Sequence, residues 1–175
     1  AEPNAEVWVE VDVLGLAEAS QLTTPRVAIT TSTPLLEYAW SSTVGVPAGS
    51  RQQATLRSAL VSTDKEEAVI LFNVKSAPIS VSGRPAPANA AVAVAKGFVN
   101  LRDVLAQGRD LLDTPVAINS KDGPAGTLKA SVVALDALRA AVPASVLAQF
   151  AQPGAPPPGA PPAAATAVRV EVGAL

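Results

Sequence analysis

At 175 residues and 49 % hydrophobic content the chain can bury one good core, and 13 basic against 15 acidic side chains leave a net charge of −2. So even a balance, scattered along the chain, gives nucleic acid or anionic lipid no electrostatic handle. Cysteine and histidine are both absent, which removes disulfides, thiolate nucleophiles, the commonest general base and the commonest zinc ligands together.

EVWVEVDVL (6–14) alternates Val7, Val9, Val11 and Val13 with Trp8, Glu10, Asp12 and Leu14, the period of two that predicts a strand with one buried face. GLAEASQLTTP reads as loop, and RVAITTS (26–32) as a short strand ended by Pro34 whose Thr30, Thr31 and Ser32 offer an edge for strand addition. LLEYAWSSTV (35–44) predicts the next strand, with Tyr38 and Trp40 on one side; such residues serve as core or as partner anchors, and burial in the core is favoured. RQQATLRSALV (51–61) also reads as strand, because Ala54, Leu56, Ser58 and Leu60 share a face, leaving Arg51 and Arg57 as candidate partner contacts on the other. STDKEE is a hydrophilic turn, and AVILFNVKS (68–76) is apolar enough for a central strand.

The prolines of APISVSGRPAPANAA (77–91) predict a long irregular loop, after which AVAVAKGFV (91–99) returns to strand. Asn100 is a good N-cap, Leu101, Val104 and Leu105 fall on one helical face, and Gly108 stands where a left-handed residue would stop a short helix. Arg109 and Asp110 follow at once; the guanidinium is expected to cover the last helical carbonyls and to pair with Asp110 or Asp113. TPVAIN (114–119) and TLKASVVAL (127–135) predict the last two strands around a KDGPAG turn that includes Gly126. DALRAAVPASVLAQFAQ suggests one or two helical turns broken before Pro143, and PGAPPPGAPPAAAT (153–166) is a Pro/Ala-rich linker by composition. AVRVEVGAL (167–175) echoes the Val-x-Val-Glu-Val of the first strand, which suggests the first strand of a following, similar domain, with a tail strand that folds back onto the first domain as the alternative.

These elements predict an all-β fold, an eight-stranded antiparallel C2-type β-sandwich with one short helix before the penultimate strand. The order FNVKS, GFVNLRDVLAQGRDLLDTPVAIN, GPAGTLKASVVALDALRA resembles the C-terminal C2 domain of the retinitis pigmentosa GTPase regulator (RPGR) interacting protein family. The resemblance rests on Gly108-Arg109-Asp110-Leu111 with Gly126-Thr127-Leu128-Lys129-Ala130-Ser131-Val132 behind it, and it is strongest from 68 to 140. It implies a ciliary, non-catalytic protein-interaction domain, the family's C-terminal C2 domain docking on the RPGR β-propeller.

Calcium would need six to eight oxygens at one end of the sandwich, yet loop 15–25 offers only Glu18 and loop 77–91 no carboxylate. No metal or other cofactor is expected. Arg26, Arg51, Arg57, Lys75, Lys96, Arg102 and Arg109 are spread singly, a poor match to a membrane-binding face. Ser62-Thr63-Asp64-Lys65 matches a Ser-x-x-Lys acyl-transfer pattern but lies in a turn without companion motifs, and no nucleotide-binding glycine loop occurs. No apolar run reaches the roughly 20 residues of a membrane span, and a chain starting at Ala1 without methionine reads as part of a longer protein. The expected organisation is a C2-like sandwich over 1–143, a short helical tail over 144–152, the linker over 153–166 and a new domain from 167. The expected role is a calcium-independent, non-enzymatic interaction module of a larger scaffold in the cilium or flagellum, at the transition zone or axoneme. Its partners are expected among proteins, an RPGR-like β-propeller or another ciliary component. A structural part of the axoneme or central apparatus is the alternative, and a membrane-targeting C2 domain ranks below both.

Overall fold

A computed structural model describes residues 4–30, 32, 35–79, 90–150 and 167–175. The eight strands are β1 (Ala5–Val13), β2 (Val27–Ile29), β3 (Glu37–Gly45), β4 (Val69–Pro78), β5 (Val92–Asn100), β6 (Leu111–Ser120), β7 (Gly123–Val133) and β8 (Ala167–Ala174). All neighbours pair antiparallel, in the order β2-β1-β4-β5-β6-β7-β8-β3. The fold is thus all-β with eight antiparallel strands.

The sheet curls over on itself at one weak seam. β5 and β6 share a single rung, Lys96 opposite Asn119, whereas β1 and β4 pair without interruption from Ala5–Pro78 to Val13–Ile70. Two four-stranded leaves result, and they close on a common core: the Tyr38 hydroxyl of β3 donates to the Val7 carbonyl of β1 at 3.3 Å. At the seam the backbones come so close that a Cβ on Gly97 would stand 2.9 Å from the Ala117 carbonyl oxygen and collide with Ile118. Inward side chains of both leaves, among them Val9, Val13, Ile70, Phe72, Ile118 and Leu128, are fully buried, each stabilising by roughly 1.5–3 kcal/mol.

Four helices occur among the described residues: α1 (Arg51–Val61), α2 (Leu101–Gln107), α3 (Leu135–Ala141) and α4 (Ala144–Phe150). They follow the ends of β3, β5 and β7, and the pairings Gly45–Ala167, Val69–Asn100 and Leu111–Val132 bring those ends together. All four therefore cap the same end of the sandwich.

Two expectations are corrected. Arg51–Val61 is a helix, not a strand: Gln53, Leu56, Ala59 and Leu60 are the residues it buries, and Ser50 caps it by accepting from the Gln53 N–H. Leu56 and Leu60, four apart, satisfy both a period of two and a helical turn, so they could not separate the alternatives. The second correction concerns 167–175, which does not open a new domain but lies inside this sheet as β8, laddered to β7 on one side and β3 on the other. The linker 153–166 and most of the loop 77–91 lie outside the described residues.

Candidate partner-binding surface

The helical cap is held by side chains that satisfy the orphan backbone groups of one another's helices. Asn100 accepts from the Arg102 N–H at 2.9 Å and starts α2. Gly108 ends it at φ 65°, ψ 25°, the left-handed conformation that a side chain would penalise, its N–H donating to the Val104 and Leu105 carbonyls. The chain then turns so that Asp110 Oδ1 accepts from the N–H groups of Ala134 and Leu135, at 2.8 and 2.9 Å. Ala134 cannot cap α3 itself, so this carboxylate supplies the cap from across the fold.

The other helix ends are treated alike. Gln53 and Arg57, one turn apart on α1, donate to the Ala140 and Ala141 carbonyls at the end of α3, at 3.2 and 2.6 Å. Arg102 on α2 donates to the Ala59 and Ser62 carbonyls at the end of α1. Asn100 also reaches the Lys65 carbonyl at 3.1 Å.

This network places Arg109 differently from the sequence reading. No ion pair to Asp110 or Asp113 forms: Arg109 is exposed, and it is the Arg139 guanidinium of α3 that lies against the α2 stop, 3.7 Å from where a Gly108 Cβ would be. Arg109 instead borders a cavity of about 560 Å³ together with Asp110, Leu111, Leu112, Thr114 and Leu135, in which Leu112 is 66 % exposed. Asp113 has a φ of 45° and donates its N–H to the buried Ser131 hydroxyl at 2.9 Å, within the bulge between Leu111 and Thr114. Gly126 lies in β7 opposite Ile118, away from the helical cap.

Of the four partner contacts expected, Tyr38 and Trp40 come together, lining a pocket of about 320 Å³ with Asp113, Ser131 and Glu171, whereas Arg51 and Arg57 do not join them. Tyr38 is buried, and that burial pushes its phenol up to about 12. Trp40 is half-buried beside a bulge in β3. Arg51 and Arg57 lie on a helix, six residues and so about 240° apart rather than on one strand face, and Arg57 is committed to α3. Two more cations are committed to the leaf of β1 and β4. Arg26 stacks on Trp8 at 4.2 Å and pairs with Glu6 at 3.4 Å, while Lys75 pairs with Glu10 at 2.6 Å.

The surface that the sequence did not reveal is the outer face of β5. Phe98, 64 % exposed, and Lys96 point outward there; beyond the register shift opposite Val74 and Lys75 the parity changes, so that Val94 (44 % exposed) sits in the bulge and Val92 (61 %) pairs with Ser76, on the side of Val7. Half-buried Leu71 of β4 pairs with Phe98 and extends its apolar surface. The inward set over this stretch is Ala95, Gly97 and Val99, and at Gly97 β6 approaches too closely for a side chain.

Among the described residues no group of three or more acidic side chains is arranged to hold a metal ion, and no helix is long and apolar enough to cross a membrane. No curated relative matches the chain at a significant level. Residues 1–143, the two leaves less β8, match the family described as retinitis pigmentosa G-protein regulator interacting C-terminal. That match spans every element that carries the Gly-Arg-Asp-Leu turn and its cap, and the chain belongs to this family.

Proposed function

We propose that this domain is a non-catalytic, calcium-independent interaction module of a larger ciliary scaffold, and that it docks an RPGR-like β-propeller through the outer face of β5. The observation that carries the reading is Phe98, an aromatic side chain 64 % exposed on the outer face beside half-buried Leu71, with exposed Val92 and Val94 at the start of the same strand. Membership of an RPGR-interacting family supports a protein partner. The commitment of Arg26, Lys75, Arg57 and Arg102 to intramolecular contacts supports a protein over an anionic membrane. Loops 15–25 and 77–91 contribute one carboxylate between them, Glu18, which supports calcium independence.

The test is binding of the full chain to a purified RPGR β-propeller, in calcium and in chelator, with Phe98→Asp beside the parent. Equal binding in both buffers is expected. Phe98→Asp should lose at least about tenfold in affinity, as for an aromatic anchor at a contact centre, with an unchanged melting temperature. Calcium-dependent binding, or a Phe98→Asp chain that binds as the parent does, would sink this reading. Capture of axonemal proteins alone from ciliary lysate would replace it with a structural axonemal role.

A further inference from the structure

Strand β8 is unlike the other seven. It lies beyond the 1–143 region that defines the family, yet it occupies an interior position in the sheet, laddered on both edges. Seven residue pairs join it to β3, and five join it to β7. Its inward side chains Val168, Val170 and Val172 are fully buried. Among the described residues β3 has no strand neighbour other than β8. The space between β3 and β7 is therefore a slot with two hydrogen-bonding edges and an apolar floor, cut for an extended segment with valine at alternate positions.

Sixteen residues, 151–166, join α4 to this strand. Sixteen residues can span at most roughly 53–58 Å. A domain of this size is roughly 40 Å across. The segment is thus long enough to fill the slot of a neighbour, and the contacts it would make there are the same as in its own. Only effective concentration separates the two arrangements.

We propose that the β3–β7 slot is a strand-acceptor site whose second occupant is the 167–175 segment of another copy of this chain, so that copies associate by exchanging β8. Thr43 of β3 and Arg169 of β8 are directly opposed and both exposed, and the chain has no cysteine, so they allow a clean test in the full chain. Separately purified Thr43→Cys and Arg169→Cys chains are mixed, held a few degrees below their melting temperature, oxidised mildly and resolved without reductant. Thr43→Cys mixed with Lys121→Cys, in the distant β6–β7 turn, is the control. Exchange predicts a covalent species of twice 17.6 kDa from the first mixture. Its yield should rise with protein concentration and exceed the control about tenfold. The double variant Thr43→Cys/Arg169→Cys, oxidised when dilute, should close within one chain and then no longer associate. A first mixture that gives no more dimer than the control, while the double variant closes fully, would overturn the proposal: β8 would then belong permanently to its own chain.

Discussion

Replacing Asp110 with alanine removes the carboxylate that caps α3, and its effect can be worked from two hydrogen bonds. Oδ1 accepts from Ala134 at 2.8 Å and Leu135 at 2.9 Å, and no other side chain caps that helix end. Loss of a helix cap costs about 0.5–2 kcal/mol, and here two donors lose a charged acceptor in a half-buried position, so the upper half of that range, about 1–2 kcal/mol, is expected. For a chain of this length about 2–4 °C accompanies each kcal/mol, so the melting temperature should fall by roughly 2–8 °C. Asp110→Asn, which keeps an acceptor oxygen, should lose under about 1 kcal/mol. Arg109→Ala should stay within about 0.5 kcal/mol, because the side chain is exposed and makes no ion pair. Thermal unfolding of the three variants by calorimetry or circular dichroism is the assay. If Arg109→Ala cost as much as Asp110→Ala, or Asp110→Ala cost nothing, the division of the Arg-Asp pair into a free and a capping residue would be wrong.

Three further outcomes are expected. Burial raises the Tyr38 phenol to about 12, so the folded state holds its proton where the unfolded chain, near 10, has lost it; the associated stability is intact below pH about 10 and falls above it by up to about 1.4 kcal/mol per pH unit. As the chain has one tyrosine, near-ultraviolet absorbance follows this phenol alone, and Tyr38→Phe should flatten that part of the alkaline unfolding curve. Gly97→Ala would set a Cβ 2.9 Å from the Ala117 carbonyl oxygen, and denaturant unfolding should show a loss of about 1–3 kcal/mol as the leaves are forced apart. Arg102→Ala uncaps the end of α1 by removing the donors to Ala59 and Ser62; a loss of about 1–2 kcal/mol is expected in the same assay.

What the sequence made legible was local. The alternation in β1, the Asn100 cap and the Gly108 stop each depend on residues within a few positions, and each could be read from spacing. What it hid was set by distance or by degeneracy. The acceptor role of Asp110 is defined by N–H groups 24 and 25 residues away. Gln53 and Arg57 act on α3, more than 80 residues on. Leu56 and Leu60 fitted strand and helix equally, although Ser50 with Gln53 three positions later was a capping signal that could have decided for the helix. The Val-x-Val pattern of 167–175 marked a strand, but such alternation suits any sheet, so it could not name its neighbours. On β5 the alternation was misleading too, since the register shift opposite Val74 and Lys75 changes its parity, so that Val92 and Phe98 lie on opposite faces.

The position of β8 also dictates an order of events during synthesis. β3 leaves the ribosome about 120 residues before the strand that pairs with it, a separation that places the Gly45–Ala167 contact among the slowest to close. Until then β3 has no strand neighbour among the described residues, and the β7 edge beside it stands open. The nascent domain therefore carries β3 unpaired through most of its translation, joined by the open β7 edge once Val133 has emerged, a period in which strand addition by a chaperone or by an adjacent nascent chain competes with completion of the sheet.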